Sequence, residues 1–447
     1  MSAEPQTIVA LGRALRSRDT TATATVERCL ERIAGRNESL NAFITVLADT
    51  AREQARDADW EIAAGHDRGP LHGVPISLKD LIDLRGTPTT AASRVRDGHV
   101  AARDSTVAAR LREAGAIFIG KTNLHEFAFG TTNEDSAYGA ARHPLDPARS
   151  PGGSSGGSAA SVLAGMAWAS VGTDTGGSVR IPSAACGLVG LKPTLGEIPT
   201  DGVVPLSTTL DHVGPLCRSV GDARILHDVL RGSAPVAERP RQARDVRLGI
   251  PPGYFLSLLD PEVASGFEAA CARLRAAGVT VDEVSIPHAE DIAPVYLHIV
   301  LAEAAAYHAA TLDGRPGDYT PNVRMRLEMG RYVLAEDYVR AMRGRDVLRR
   351  EVDAALGTRD GLLLPTLAVP ATTIGVDTVR VGDSDQSVRN ITLRLTQLFN
   401  LTGHPAITMP CGTTAGDLPI GAQIAGHRDR TTDLLDVAGA LELLVHG

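Results

Sequence analysis

Two serines and a lysine, Ser154, Ser178 and Lys79, have the residue types and the surroundings for nucleophilic catalysis. Ser154 lies in a glycine cluster, Gly152-Gly153-Ser154-Ser155-Gly156-Gly157-Ser158, and Ser178 closes a second, Thr173-Asp174-Thr175-Gly176-Gly177-Ser178. Glycine at this density lets backbone N–H groups converge, because no Cβ blocks their approach. Converging amides suit a developing oxyanion, and one well-placed donor lowers a barrier by roughly 3–4 kcal/mol. A serine also needs a base. Free lysine is only about 0.1 % neutral near pH 7.4, but burial can lower its pKa by about three units. Lys79 sits within VPISLKDLI, where such burial is expected. The plain alternatives are a flexible Gly/Ser linker and a surface lysine paired with Asp80. Against the linker, Ala159–Ala169 between the clusters is rich in Ala, Val, Leu and Met and should be buried.

Three other motifs lack the context they require. Gly115-Ala-Ile-Phe-Ile-Gly120-Lys121-Thr122 fits a phosphate-loop pattern, yet its apolar centre reads as a strand whose amides belong to a sheet. Gly152-Gly-Ser154-Ser-Gly156 fits a nucleophile elbow, but a proline-rich loop precedes Ser154 where a strand is needed. His125-Glu126 begins like a zinc-protease helix, and Phe129 stands where the second histidine belongs.

The elements that hold these residues follow from period and punctuation. Residues 5–65 read as helices with a short strand at 42–47. Val74, Ile76 and Leu78 alternate with Pro75, Ser77 and Lys79 as in a strand. A helix is expected over 105–114 and a strand over 116–119, and the alternation continues to about 235. Residues 235–246 read as a surface connection, followed by strands at 246–250 and 279–286 around a helix at 262–278. A helical stretch at 290–350, broken at Gly314–Gly317, precedes strands in GLLLPT and PAITMP and a last helix at 431–445. The class is α/β, with a sheet covered by helices on both faces.

Composition narrows the partners. The chain has 447 residues, 43 % of them hydrophobic, and a formal net charge of −8 with no block of Lys or Arg. No nucleic-acid partner is expected, because phosphate binding needs a basic patch. The arginines at 340, 343, 345, 349 and 350 are interleaved with acids and read as a solvated helix face. Five scattered cysteines predict neither disulfides nor a zinc cluster, and Cys186 reads as part of a buried strand-like run. The N-terminal residues lack a signal-peptide core, and no segment approaches the roughly 18 apolar residues of a membrane span. The expected setting is soluble and cytoplasmic, with no membrane partner.

Taken together, HGVPISLKD, KTNLHEFAFGTTNEDSAYGAARHPLDPARSPGGSSGGSAA and GTDTGGSVRIPSAACGLVGLKPT resemble the amidase signature family. VPLSTTLDHVGPL, FNLTGHPAITMPCG and LPIGAQIAG follow in the family's order. The resemblance covers residues 66–235 and 360–430. It implies an amidase signature fold: a large mixed central sheet, with residues 1–65 as an N-terminal helical segment on a catalytic domain of 66–447. The segment at about 290–350 becomes a variable helical insert that shapes the pocket. The resemblance further implies Ser178 as nucleophile, Ser154 on a cis peptide as bridge, and Lys79 as base. The backbone N–H groups of Thr175, Gly176, Gly177 and Ser178 would form the oxyanion hole. Gly153, Ser155, Asp174 and Arg180 take supporting places. Asp174 and Arg180 flank Ser178 and are suited to pair, with a surface role for Arg180 as the alternative. No cofactor and no metal is implied.

Substrate is read more coarsely. Glutamine-using family members grip a zwitterion with an arginine and an acid. Arg345 is a candidate for the arginine, while the acidic position falls near Leu393, which would leave an ammonium unpaired. The expectation is therefore a stand-alone hydrolase of neutral, fairly hydrophobic small-molecule amides, including aryl amides and carbamates (urethanes). The alternatives are the glutaminase component of a tRNA-dependent amidotransferase and a catalytically inactive binding protein on the same fold. The amphipathic N-terminal helices suit either a homodimer contact or a cover over the core.

Overall fold

A computed structural model describes residues 6–234, 236, 239 and 241–446. The connection expected at 235–246 therefore falls partly outside the described residues, as do Met1–Pro5. Its described part from 241 onward is mostly exposed or half-buried.

The strands in chain order are β1 (Phe43–Val46), β2 (Pro75–Lys79), β3 (Ile117–Thr122), β4 (Ala169–Asp174), β5 (Val189–Lys192) and β6 (His212–Cys217). They continue with β7 (Arg247–Ile250), β8 (Thr280–Glu283), β9 (Gly361–Pro365), β10 (Thr378–Val381), β11 (Ser384–Ser387), β12 (Ala406–Thr413) and β13 (Pro419–Ala425). Eleven of them form one mixed sheet in the order β1-β3-β2-β4-β6-β5-β12-β13-β9-β7-β8, and β10 with β11 makes a separate hairpin. β2 runs parallel to β3 and β4, whereas β4, β6, β5, β12, β13 and β9 pair antiparallel in turn. β2, β3, β4, β6 and β9 are buried along their whole length, because helices cover both faces. That burial takes in polar residues as well, among them Ser77, Lys79, Lys121, Thr122, Ser170, Thr173 and Asp174.

The N-terminal helices Ile8–Arg16, Ala22–Leu40 and Ala48–Ala63 close one edge of the core. Thr7 and Thr21 cap the first two, accepting from the N–H groups of Ala10 and Ala24. The carboxylate of Asp222 accepts from Ile8 N at 2.9 Å and Gln54 accepts from Phe118 N at 3.0 Å, which ties this segment to the rest.

Several expectations change. The strand expected at 279–286 is only Thr280–Glu283, and β5, β6 and the hairpin were not foreseen. An 18-residue window of the segment Ala289–Gly314 has a mean hydropathy of 1.2, so the segment is by length and composition able to cross a membrane, contrary to the expectation. Ile292, Tyr296, Ile299, Val300 and Leu312 on this helix are nonetheless buried, as in a core helix. It packs on the helices Pro321–Gly330 and Ala335–Leu356, which complete the expected helical stretch. Along the last of these Arg340, Arg343 and Arg350 are exposed as expected, but Arg349 turns inward to donate to Thr402 O at 3.1 Å.

Candidate active site

The alternation of β2 places Ser77 and Lys79 on one face. Ser77 Oγ meets Ser161 Oγ at 3.0 Å on the helix Gly156–Leu163, so that face looks toward the segment that begins at Ser154. Lys79 Nζ accordingly donates to Ser154 Oγ at 2.7 Å and to Thr173 Oγ1 at 2.8 Å. Asp80 points elsewhere and pairs with buried Lys121 at 2.9 Å, and no carboxylate among the described residues forms an ion pair with Lys79.

The Gly153–Ser154 peptide is cis. A side chain at Gly153 would sit 2.8 Å from Asn133 N and 3.0 Å from Thr132 N, so only glycine lets the 131–133 loop lie against this turn. Ser154 O accepts from His125 N at 3.0 Å. Ser155 N donates to Ser178 O at 3.3 Å and Ser155 Oγ to Thr173 O at 3.3 Å, which draws the second glycine cluster onto the first. Ser158 Oγ meets Thr122 Oγ1 at 2.8 Å, a packing role. Lys79 and Ser154 are fully buried while Ser178 keeps 5 % of its surface, so Ser178 is the outermost of the three.

Thr175, Gly176, Gly177 and Ser178 link β4 to the short helix Arg180–Ala185. The backbone N–H groups of these four residues make no hydrogen bond among the described residues, although all four are buried. Buried amides are nearly always paired. An unpaired row of them is a set of donors available to a ligand oxygen. Gly177 has φ +135°, and a Cβ there would press on Ile181 and Thr396.

What stiffens this loop is a buried ion pair. Arg180 Nε donates to Asp174 Oδ2 at 3.0 Å and Nη2 to Oδ1 at 3.1 Å, with both side chains fully buried. The surface alternative for Arg180 is thereby excluded. Arg180 also donates to Asn400 Oδ1 at 2.8 Å and Gln423 Oε1 at 2.9 Å. Asn400 Nδ2 returns to Asp174 O at 2.9 Å and Oδ1 at 2.8 Å, while Val179 N and Arg180 N donate to Asp174 Oδ2. Every polar atom of this pair is satisfied, the condition under which a buried pair holds geometry without a large net penalty.

Burial is the main influence on Lys79. It lowers the amine from 10.5 to about 7, against the opposing charges of Asp174 and Asp211. Burial likewise raises Asp211 to about 6, against hydrogen bonds from Thr175 and from the backbone of Leu206 and Ser207. Thr175 Oγ1 donates to Asp211 Oδ1 at 2.6 Å, which anchors the start of the glycine loop. Burial works to raise the Asp174 carboxyl too, but the Arg180 charge and hydrogen bonds outweigh it and hold it well below the usual range. A neutral amine beside a serine hydroxyl, with free amides nearby, can activate an oxygen nucleophile and stabilise the oxyanion it creates.

Thr173, Asp211, Asn400, Gln423 and Thr396 escaped the sequence reading. Thr396 Oγ1 donates to Gly176 O at 2.6 Å. NLTGHP and GAQIAG contain Asn400 and Gln423, but nothing in their spacing says that they meet Arg180. Arg345 lies on the helix Ala335–Leu356 beside Tyr338 and Arg349. Leu393 lies against Gly176. Cys186 is buried as expected, but it caps the helix Arg180–Ala185 and is not in a strand, and burial pushes its thiol far up. Among the described residues no group of three His, Cys, Asp or Glu side chains is placed to hold a metal, and His125 instead faces Asp135 at 3.1 Å.

A family model described as Amidase matches residues 24–435. An amidase of Pseudomonas putida is 41 % identical over 422 residues, covering 91 % of this chain and 89 % of the relative. The A component of the glutamyl-tRNA(Gln) amidotransferase of Koribacter versatilis (strain Ellin345) is 35 % identical over 478 residues, covering 98 % of each. A crystal structure of an amidase superposes with a TM-score of 0.93 at 36 % identity, covering 98 % of this chain and 100 % of that one.

Proposed function

The chain belongs to the amidase signature family, as a hydrolase of amide C–N bonds, and from that premise we propose that it works through Ser178, Ser154 and Lys79 on small-molecule amides and carbamates. The observation that carries this reading is the 2.7 Å contact between Lys79 Nζ and Ser154 Oγ, at a fully buried amine. Near neutral pH about half of such an amine is unprotonated. With one N–H held by Thr173, it turns its lone pair to the Ser154 hydroxyl. Ser154 passes its proton to Lys79 and takes the proton of Ser178, whose oxygen attacks the carbonyl carbon. The amides of Thr175, Gly176, Gly177 and Ser178 receive the oxyanion. When the tetrahedral intermediate collapses, the C–N bond breaks and the proton returns through Ser154 to the departing nitrogen. The same base then activates the water that releases the acid and frees Ser178. A carbamate leaves a carbonate ester on Ser178, and its hydrolysis gives carbon dioxide and an alcohol.

The preference for a stand-alone hydrolase over an amidotransferase component rests on Leu393. An apolar side chain lies against the glycine loop where a zwitterionic substrate would need a carboxylate. A reducing cytoplasm is the setting assumed, in keeping with five buried free thiols. The test is release of product by the purified chain alone from L-glutamine, a p-nitroanilide amide and a p-nitroanilide carbamate. Release of nitroaniline with glutamine untouched is the expected result. Glutamine hydrolysis alone, or activity only after partner proteins are added, would overturn the stand-alone reading.

A further inference from the structure

We propose that this amide-hydrolysing site extends into a cationic subsite, in which Arg389 and Arg394 take a carboxylate at the far end of the substrate. The inference rests on the amide-hydrolase reading above and names a substrate class for it. The subsite is a cavity of about 350 Å³ beside the glycine loop. Tyr296 and Leu393 line it, and the same two side chains lie against Gly176, where an added methyl would collide with the Tyr296 hydroxyl and lie 3.0 Å from Leu393 Cδ2. The cavity thus shares a wall with the proposed oxyanion hole.

Its charge is one-sided. Arg389 and Arg394 line it, and no Asp or Glu does. Arg389 takes part in no hydrogen bond or ion pair among the described residues, and its Nε is buried without an acceptor. Arg394 stacks on Tyr254, its guanidinium carbon 3.6 Å from the ring centre, and donates to Tyr254 O at 2.6 Å, which leaves its Nε also without an acceptor. A third cation, Arg326, lies close enough to feel Arg389. After burial, that charge helps lower Arg326 to about 10, against the opposing charge of Asp135. Arg389 and Arg394 are half-buried with no carboxylate lining the cavity beside them, and a partly buried cation without a counter-charge is costly. Guanidinium groups match a carboxylate in shape and charge, so a ligand carboxylate would supply the missing partner.

Placement sets the size of the substrate. Arg389 and Leu393 are four residues apart on the helix Val388–Leu393, hence on one face. The rise between them is about 6 Å, a gap that a short alkyl chain or one aryl ring bridges. Leu258, Leu297 and Ile391 make the intervening wall apolar. On this proposal the substrate is an amphiphilic amide, with an apolar middle and one carboxylate end, where the sequence alone points to a neutral, fairly hydrophobic one.

The test compares kcat/KM for matched p-nitroanilides whose acyl chains, of two to five methylenes, end in a carboxylate or in an isopropyl group of similar shape. A second pair carries the carboxylate or the isopropyl group on the leaving anilide. The expected result is a preference of about 10- to 100-fold for the carboxylate in one series, the range of a charge-assisted hydrogen bond, falling as salt is added. In Arg389→Gln the preference should drop to about 1, and Arg389→Lys should keep part of it. A ratio measured within each variant is insensitive to how much of that variant is folded. No carboxylate preference in either series, with the isopropyl amides turned over, would overturn this inference alone. Activation of the isopropyl substrates by added acetate would mark a separate anion site and also overturn it. No turnover of any amide would overturn the hydrolase reading, and this inference with it.

Discussion

Ser178→Ala is expected to lower kcat/KM on any amide substrate by roughly 10⁴- to 10⁶-fold, the range found when the nucleophile of a serine hydrolase is removed. The size follows from position. Ser178 is the outermost of the three groups and sits on the loop whose free amides would hold the oxyanion. On the proposed mechanism its loss removes the covalent route, whereas the amides themselves remain. The fold should survive, because the loop is held by Asp174, Arg180, Asn400 and Thr396 and not by the Ser178 hydroxyl. Ser154→Ala breaks the relay but spares the nucleophile, so its loss should be smaller, about 10²- to 10⁴-fold. Steady-state kinetics on one p-nitroanilide compares both. Equal turnover by wild type and Ser178→Ala would remove Ser178 from the chemistry.

Lys79→Met carries the second large effect, and it has two readouts. Activity should fall by about 10³-fold or more as the base is lost. In the wild type, kcat/KM should rise with pH up to about 7, where the buried amine loses its proton, and Lys79→Met should lack that limb. The variant's stability, unlike its activity, should rise. The folded chain holds Lys79 at about 7, while an unfolded chain holds it near 10.5, so between these values the unfolded state binds more protons. The destabilisation from keeping the amine buried is therefore complete below pH 7 and shrinks as pH rises toward 10.5. By linkage it is about 5 kcal/mol at pH 6 and about 2 kcal/mol at pH 9. Lys79→Met lacks this penalty, although it also loses the contacts to Ser154 and Thr173. Its advantage in urea midpoint over the wild type should be larger at pH 6 than at pH 9. A difference independent of pH would mean that Lys79 titrates normally in the folded chain.

How much of this was legible beforehand differs by element. The alternation Val74-Pro75-Ile76-Ser77-Leu78-Lys79 is a local pattern, and the strand Pro75–Lys79 follows from it. The apolar core of Gly115–Thr122 likewise became β3, in which Lys121 serves Asp80 and not a phosphate. The two glycine clusters could be recognised as unlike a linker because the residues between them are apolar, and they are buried. What local pattern cannot carry is contact between distant segments. Asn400 and Gln423 reach Arg180 across more than 200 residues of chain, through strand pairings that no single-sequence period encodes. Arg345, which the resemblance offers as an arginine for a zwitterion, lies half-buried on the helix Ala335–Leu356 with its Nε and Nη1 buried and without a hydrogen-bond partner. Arg389 was overlooked because its meaning depends on which helix turn faces the glycine loop. The run around Cys186 reads as strand, although the residue ends a helix, because an apolar run of few residues fits strand and buried helix equally well.

The measurement that bears most directly on the central claim is peptide mapping by mass spectrometry after reaction with a fluorophosphonate, which esterifies an activated serine and releases fluoride. One adduct is expected, on Ser178, formed in the wild type, absent from Ser178→Ala and strongly slowed in Lys79→Met. An adduct on Ser154, or rapid amide turnover by a chain that takes no label at Ser178, would contradict it.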